Sequence, residues 1–438
     1  MGTLLSISHT NRALRRRVLS IPCLWSTLRI TIGYRKNGGG GVDPRGKARD
    51  EGLLNLFRLW IGRSGEVPLS YKINIRGETL AAIYLIKYFS REKYRWKSVK
   101  FSYTSEESQR IAFNLGLKIM PRLQRLTIAS FEDGDQVKKD VDLSRSTQLR
   151  YLSLGNVKIS RWRSIMDTIH TQQLTELRLD LAVNDLRTIN RGDNYLITTL
   201  GMFTNLKRFE ICCDEYFTLL RWTGPPVLLP KLCMLVVNDG CGSLLQYIRT
   251  PSLVSLYVDD SFVGRHLHRF LRRSRPPLEI MGLAVDYLRS DDILCVLEDL
   301  PNVRTLLLTR DRVLDVGKES DESDENERLE DIWYSMTMTD STTDVLLPNL
   351  TNLIYHPYFV LEEENFEELA CLAEALLSRR RHSKNFRFYV PEGLKFSEDF
   401  SYHLKILLCS MVDTLAAHYD PRHLDRLFPP QNKEYVFE

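Results

Sequence analysis

The residues best able to hold a metal or act as a nucleophile are eight cysteines and nine histidines in a chain of 438 residues. Their spacing argues against both roles. Cys212 and Cys213 are adjacent, so they point to opposite sides of a strand, and with Cys233 and Cys241 they lack the C-x₂₋₄-C pairs that tetrahedral zinc favours. His266 and His268 lie two apart on a helical stretch and share no face. They belong to RHLHRFLRRSR, whose arginines flank an apolar stripe in the manner of solvated residues and not of a phosphate-binding surface. The chain has no P-loop, G-x-G-x-x-G, G-x-S-x-G or H-E-x-x-H. No catalytic residue, metal ligand or cofactor follows from the sequence, which reads as a binding protein and not an enzyme.

Charge narrows the partners. Sixty Lys and Arg against 56 Asp and Glu leave a net charge of +4, too small for its length to indicate a nucleic-acid partner. With 43% hydrophobic and 26% charged residues the chain is a folded one, long enough for roughly three ordinary domains. No apolar run approaches the ~20 residues of a membrane span, and the first apolar stretch is too short for a secretory signal. Met1, Gly2 and Ser6 fit an N-myristoylation pattern, but one with three free positions. Scattered cysteines inside apolar patterns read as reduced core thiols, and the expected location is cytoplasmic or nuclear.

The elements that position the side chains come from a repeat. PRLQRLTI, TQLRYLSL, QQLTELRL, TNLKRFEI, PKLCMLVV, PSLVSLYV, PPLEIMGL and PNVRTLLL share the template L-x-x-L-x-L. Their first apolar residues, from Leu123 to Val303, are separated by 26, 25, 32, 26, 21, 25 and 25 residues, the leucine-rich-repeat spacing. Weaker copies stand at Trp96, Val99 and Phe101 and at Leu350 and Leu353. Alternation puts Leu152 and Leu154 on one side of a strand and Tyr151 and Ser153 on the other. One unit cannot bury its apolar side alone, so stacked units predict a parallel sheet with connectors behind it. Trp162, Ile165, Met166 and Ile169, and Val263, Leu267, Phe270 and Leu271, keep helical spacing; Thr104 and Glu107 form a capping box before Ile111. The fold class is α/β, a leucine-rich-repeat solenoid. Where such repeats usually carry Asn or Cys after the third leucine, this chain has Val157, Ala182, Asp214, Gly240, Ser261, Asp286 and Asp311, so no asparagine ladder follows its strands.

Three stretches leave the template. Residues 37–52, with four consecutive glycines, read as a mobile loop, and residues 315–331 as an acidic disordered insertion that is either a solvated loop or a regulatory one phosphorylated at Ser320 or Ser323. After the last weak repeat, a helix from Phe366 to Leu377, the strand FRFYVP and a helix from Leu404 to Leu415 continue and cap the solenoid.

The amino-terminal stretch LLSISHTNRALRRRVLSIPCLWSTLRITI breaks at Ile21-Pro22 and runs through Leu24 and Trp25 into a strand at Leu28, Ile30 and Ile32. It resembles the second half of an F-box as found in fungal (basidiomycete-type) F-box proteins with irregular repeats. Leu4, Leu5, Ser6, Ile7, Ser8, Arg12, Arg15, Ser20, Pro22, Leu24, Trp25, Ser26, Leu28 and Ile30 match that pattern, with Asn11 and Leu14 where the family usually has Cys and Trp. LFRLWIGRSGEVPLSYKI (56–73) is similar to the family's joint, a helix ending near R-S-G before a strand, with Leu53, Leu56, Phe57 and Trp60 on one helical face. The family's first helix, opening with Leu-Pro, has no counterpart before Leu4. Two expectations stand beside each other: a start at a late methionine, or a chain that binds the adaptor weakly or not at all.

The resemblance implies a substrate-recognition subunit of a cullin-RING ubiquitin ligase. Residues 1–32 would be a partial F-box in which Leu5, Ile7, Leu14 and Trp25 face or underlie a Skp-type adaptor, with Arg12 and Arg15 at the rim. Residues 33–67 would be the glycine-rich loop and a linking helix, and 68–438 the solenoid. Its inner face would present Glu176, Arg178, Asp180, Arg208, Glu210, Asn238, Tyr257 and Asp259 to a target protein, Tyr257 being the aromatic anchor. The same residues also fit a merely solvated face with charges paired across strands. The rival function is a leucine-rich-repeat scaffold without any ligase.

Overall fold

A computed structural model describes residues 11–32, 44–75, 80–103, 120–130, 142–157, 159–182, 195–213, 222–238, 240–260, 264–285, 290–310, 327–338, 345–357 and 366–389. The chain forms two compact units, Met1–Thr223 and Gly224–Glu438. Each is α/β, built on a parallel ladder in which every strand pairs with its nearest ladder neighbours in sequence, an arrangement compatible with the stacking that the repeat spacing predicts.

In the first unit, α1 (Arg12–Ser20) and a 3₁₀ turn (Pro22–Trp25) lead into β1 (Thr27–Ile32). The Asn11 carboxamide oxygen caps α1 by accepting from the Ala13 N–H at 2.7 Å. Helix α2 (Pro44–Ser64) ends at Gly65, whose φ of +51° suits a residue without Cβ, and β2 (Leu69–Ile75) follows. Then come α3 (Leu80–Arg91), β3 (Trp96–Tyr103), β4 (Arg125–Ser130), β5 (Tyr151–Val157), α4 (Ile159–Met166), β6 (Glu176–Leu181), α5 (Tyr195–Gly201) and β7 (Arg208–Cys213). The template leucines align by register: Leu126 meets Leu152, Leu152 meets Leu177 and Leu177 meets Phe209, all buried. Trp25 against Trp60 (4.7 Å between centroids) and Phe89 against Phe57 (4.4 Å) and Tyr71 (4.5 Å) close the amino-terminal end of this core.

The second unit carries β8 (Val227–Leu228), β9 (Met234–Asn238), a 3₁₀ turn (Gly242–Tyr247), β10 (Ile248–Arg249) and β11 (Ser255–Asp259). It continues with α6 (Gly264–Ser274), β12 (Ile280–Ala284), α7 (Ser290–Glu298), β13 (Thr305–Arg310), α8 (Glu327–Met336), β14 (Asn352–Pro357), α9 (Phe366–His382) and β15 (Arg387–Tyr389). Strands β8 and β10 form a separate parallel pair. Leu235, Leu256, Met281, Leu306, Leu353 and Phe388 make one buried register column, and Val237, Val258, Leu283, Leu308 and Tyr355 a second.

Four expectations need correction. The strand expected at Leu28, Ile30 and Ile32 pairs with β2 along its whole length, so among the described residues the ladder starts at Thr27, inside the segment 1–32 set apart from the solenoid, and not at residue 68. The loop assigned to residues 37–52 gives way to helix at Pro44, a residue pre-set for the first helical turn. The insertion assigned to 315–331 gives way to α8 at Glu327, because Leu329, Ile332, Trp333 and Met336 fall at i, i+3, i+4 and i+7 and are all buried. Among the described cysteines, Cys213 and Cys241 are buried as expected of core thiols, but Cys23, Cys233 and Cys295 are exposed. The helices expected after Thr104 and at Leu404–Leu415 lie outside the described residues.

Polar closure comes from places other than an asparagine ladder after the strands. The side chain just before the first leucine reaches back one repeat: Gln173 Nε2 donates to Ser146 O (2.8 Å), Asn205 Nδ2 to Gln172 O (2.6 Å), Ser252 Oγ to Pro230 O (2.7 Å) and Asn349 Nδ2 to Pro301 O (2.9 Å). Arginines close other turns. Buried Arg95 donates to Val67 O, Ser64 Oγ and Glu92 Oε2; Arg273 donates to Leu245 O (2.6 Å) and Ile248 O (2.8 Å). Arg379 donates to Met336 O (2.8 Å), Leu347 O (2.6 Å) and Leu346 O, and burial lowers its pKa to about 10.

Candidate partner-binding surfaces

Helix α1 buries only Val18. Pro22 starts the turn that brings Trp25 beneath the helix, where its indole Nε1–H donates to Val18 O at 2.8 Å. Trp25 is wholly buried, with the Arg63 guanidinium 4.6 Å from its ring centroid. Leu14 is 46% exposed and Ile21 42%, with Arg12, Arg15, Arg16 and Arg17 also exposed around the helix. Of the four adaptor candidates, Leu14 is therefore on the surface and Trp25 supports the helix from below. Leu5 and Ile7 lie outside the described residues.

The target-face candidates divide between the units. In the first, Glu176, Arg178 and Asp180 of β6 and Arg208 and Glu210 of β7 stand between the buried template residues, with Glu176 opposite Arg208 and Arg178 opposite Glu210. Arg178 Nη1 is 3.2 Å from Glu210 Oε1, and Arg125 Nη2 is 3.8 Å from Glu176 Oε2. Arg125 also stacks on Tyr151, 4.1 Å from the ring centroid. Glu176, Arg178, Asp180 and Arg208 are half-buried, but Glu210 is only 5% exposed. Its burial raises its pKa, against the opposing pull of Arg178 and Arg208.

In the second unit Asn238 and Asp259 face each other in register at the carboxyl ends of β9 and β11, and both are buried. Tyr257 is half-buried and lies down on the sheet: its ring passes over Gly282 of β12, and its hydroxyl comes 3.3 Å from Thr309 Oγ1 of β13. Burial thus keeps Glu210, Asn238 and Asp259 from forming either a solvated face or the target-contacting surface expected of them. Alternation assigns a face, but the side chains of the adjoining strands decide how much of it water reaches.

One feature of the first unit escaped the sequence reading. Arg29 of β1 is in register with Lys72 of β2, and Lys72 with Lys100 of β3, so three successive strands place a cation at one level. The signal lay in T-L-R-I-T, S-Y-K-I-N and S-V-K-F-S, where the cation stands between two apolar residues that face the core. Continuing across the sheet, the same row reads Thr127, Ser153, Arg178 and Glu210.

The histidines of α6 do not converge. His266 Nε2 is 3.1 Å from Gln246 Nε2, and His268 Nδ1 is 3.4 Å from Asp299 Oδ2. Burial, with Arg269 nearby, lowers the His266 pKa despite Asp260. Arg273, expected among the solvated arginines of this helix, instead closes the Leu245 and Ile248 carbonyls. Among the described residues no group of three His, Cys, Asp or Glu side chains could hold a metal, and no helix is long and apolar enough to cross a membrane.

No family model matches the chain, and no curated protein matches it.

Proposed function

We infer that this protein is a recognition subunit, a leucine-rich-repeat solenoid whose inner face binds a target protein and whose amino-terminal helix docks a Skp-type adaptor of a cullin-RING ubiquitin ligase. The observation that carries the reading is α1: a nine-residue helix whose buried residue is Val18, with the Trp25 indole donating to its carbonyl and Leu14 left on the surface. An exposed apolar side chain on a short helix suits a helix that a partner completes. The resemblance of residues 4–32 to the second half of an F-box names that partner.

Co-purification with a Skp-type adaptor tests it. Leu14→Asp should reduce adaptor recovery at least about tenfold, the effect of losing an apolar contact in an interface core. Equal recovery with the wild type and the variant would remove the ligase reading.

The second reading is a solenoid scaffold with no ligase association. It is favoured by the four exposed arginines of α1, which make an unusually basic surface for an apolar docking helix.

A further inference from the structure

We propose that the outer face of α2 and α3 is a docking surface for an anionic membrane, with Arg58, Lys87 and Arg91 on the lipid headgroups and Leu59 and Tyr84 entering the boundary beneath them. The proposal goes beyond the recognition reading and uses neither α1 nor the inner face of the sheet.

Helix α3 turns one strip outward, since Tyr84, Lys87, Tyr88 and Arg91 follow i, i+3, i+4 and i+7 while Leu85, Ile86 and Phe89 are buried. Helix α2 does the same, with Phe57 and Trp60 buried and Arg58 and Leu59 exposed. The two strips meet at Tyr88: the Arg58 guanidinium lies 4.9 Å from its ring centroid and the Arg91 guanidinium 5.3 Å. Lys87 Nζ lies 5.9 Å from the Tyr84 centroid. An aromatic face orders a cation without taking up its N–H donors. Apart from the 3.5 Å approach of Arg58 Nη1 to Asn55 Oδ1, those donors have no side-chain acceptor among the described residues. No described side chain of α2 or α3 is a carboxylate. Glu66 follows only past Gly65, and Glu92 is drawn to buried Arg95 at 2.9 Å. Burial, and then the charge of Arg15, lower the Arg63 pKa, so the cationic character continues toward α1.

A membrane surface accepts all three kinds of side chain at once. Cations go to anionic headgroups, a tyrosine sits at headgroup level, and an aliphatic side chain enters the acyl boundary. Leu59 is 44% exposed and Tyr84 52%, in the midst of the cations. A single-stranded nucleic acid needs open aromatic faces for its bases, and Tyr88 already carries two guanidiniums. An acidic peptide would pair the cations and leave Leu59 and Tyr84 in water.

The test is co-sedimentation of the full chain with vesicles of phosphatidylcholine and phosphatidylserine at about 7:3, beside vesicles of phosphatidylcholine alone. The mixed vesicles should carry the protein down, less so as salt rises, and the neutral ones should not. Arg58→Gln and Arg91→Gln should each weaken binding about fivefold, and Leu59→Gln about three- to tenfold. Arg150→Gln removes an equal charge from an exposed position before β5 and should leave binding unchanged. Circular dichroism of each variant separates lost binding from lost fold. Absent binding, equal binding to both kinds of vesicle, or wild-type binding by an Arg58→Gln, Arg91→Gln double variant of confirmed fold would each overturn the proposal. So would tighter binding, by fluorescence anisotropy, to a labelled polyglutamate peptide or a single-stranded oligonucleotide, which would give the face to another class of partner. Every variant leaves α1 unchanged, so adaptor recovery is read separately.

Discussion

The ring of Tyr257 occupies the space above the α-carbon of Gly282 on the next strand and leaves no room there for a Cβ. The side chain expected to project as an aromatic anchor is instead laid flat, and its hydroxyl reaches Thr309 two strands away. Gly282 is what permits this, since any larger residue would lift the ring.

Gly282→Ala should therefore destabilise the chain by about 1–3 kcal/mol, the cost of overpacking a filled site. In a Tyr257→Ala background the same change should be nearly neutral. Urea unfolding of the two single variants and the double variant measures the coupling, and additive effects would show that the two residues do not compete for this space.

Arg379 is buried and donates to carbonyl oxygens, those of Met336, Leu346 and Leu347. Arg379→Met keeps much of the volume and removes the donors, leaving carbonyls at the end of α8 and before β14 unsatisfied. A loss of about 2–4 kcal/mol is expected in urea unfolding.

Glu210 gives a pH dependence of known sign. Its folded pKa is raised, chiefly by burial, so between the unfolded carboxyl value of about 4.3 and the folded value the native chain holds the extra proton. Its contribution is most favourable below the unfolded value and is lost as pH rises through the folded one. Wild type should accordingly lose stability relative to Glu210→Gln as pH rises above the unfolded carboxyl value and through the raised folded one. A difference that stays constant, or changes the other way, would contradict the burial.

Charge in the row from Arg29 to Glu210 should have opposite effects at different strands. Lys72→Gln relieves cross-strand repulsion and should stabilise by about 0.2–1 kcal/mol, less at high salt. Arg178→Gln leaves Glu210 buried without its closest cation and should destabilise by about 1–3 kcal/mol. Thermal melts at two salt concentrations distinguish these outcomes.

Truncating a template leucine at Leu152, Leu177 or Leu256, each buried to 1% exposure or less, should cost about 2–5 kcal/mol. These positions were legible in the sequence because L-x-x-L-x-L specifies both a strand and its buried face, and stacking then fixes the register. The start of α8 was obscured by acidic residues, although Leu329, Ile332, Trp333 and Met336 already carried its period. Arg95, Arg273 and Arg379 gave no local sign of their roles, since each closes a turn 28 or more residues away or, for Arg273, as few as 25. At the surfaces, Leu14 was legible as an apolar position on a helix. The burial of Glu210, Asn238 and Asp259 was not, because it depends on neighbours that strand alternation does not name.

Seven of the turn-closing side chains point backwards along the chain. Gln173, Asn205, Ser252 and Asn349, and likewise Arg95, Arg273 and Arg379, satisfy carbonyls that precede them in sequence. During synthesis, the turns that these side chains close therefore leave the ribosome with open carbonyls and are sealed only when the later residue arrives. Loss of carboxyl-terminal repeats would unseal the one before the cut, whereas loss at the amino terminus removes carbonyls together with the need to cover them. The two ends of each ladder are thus unequal in their tolerance of shortening.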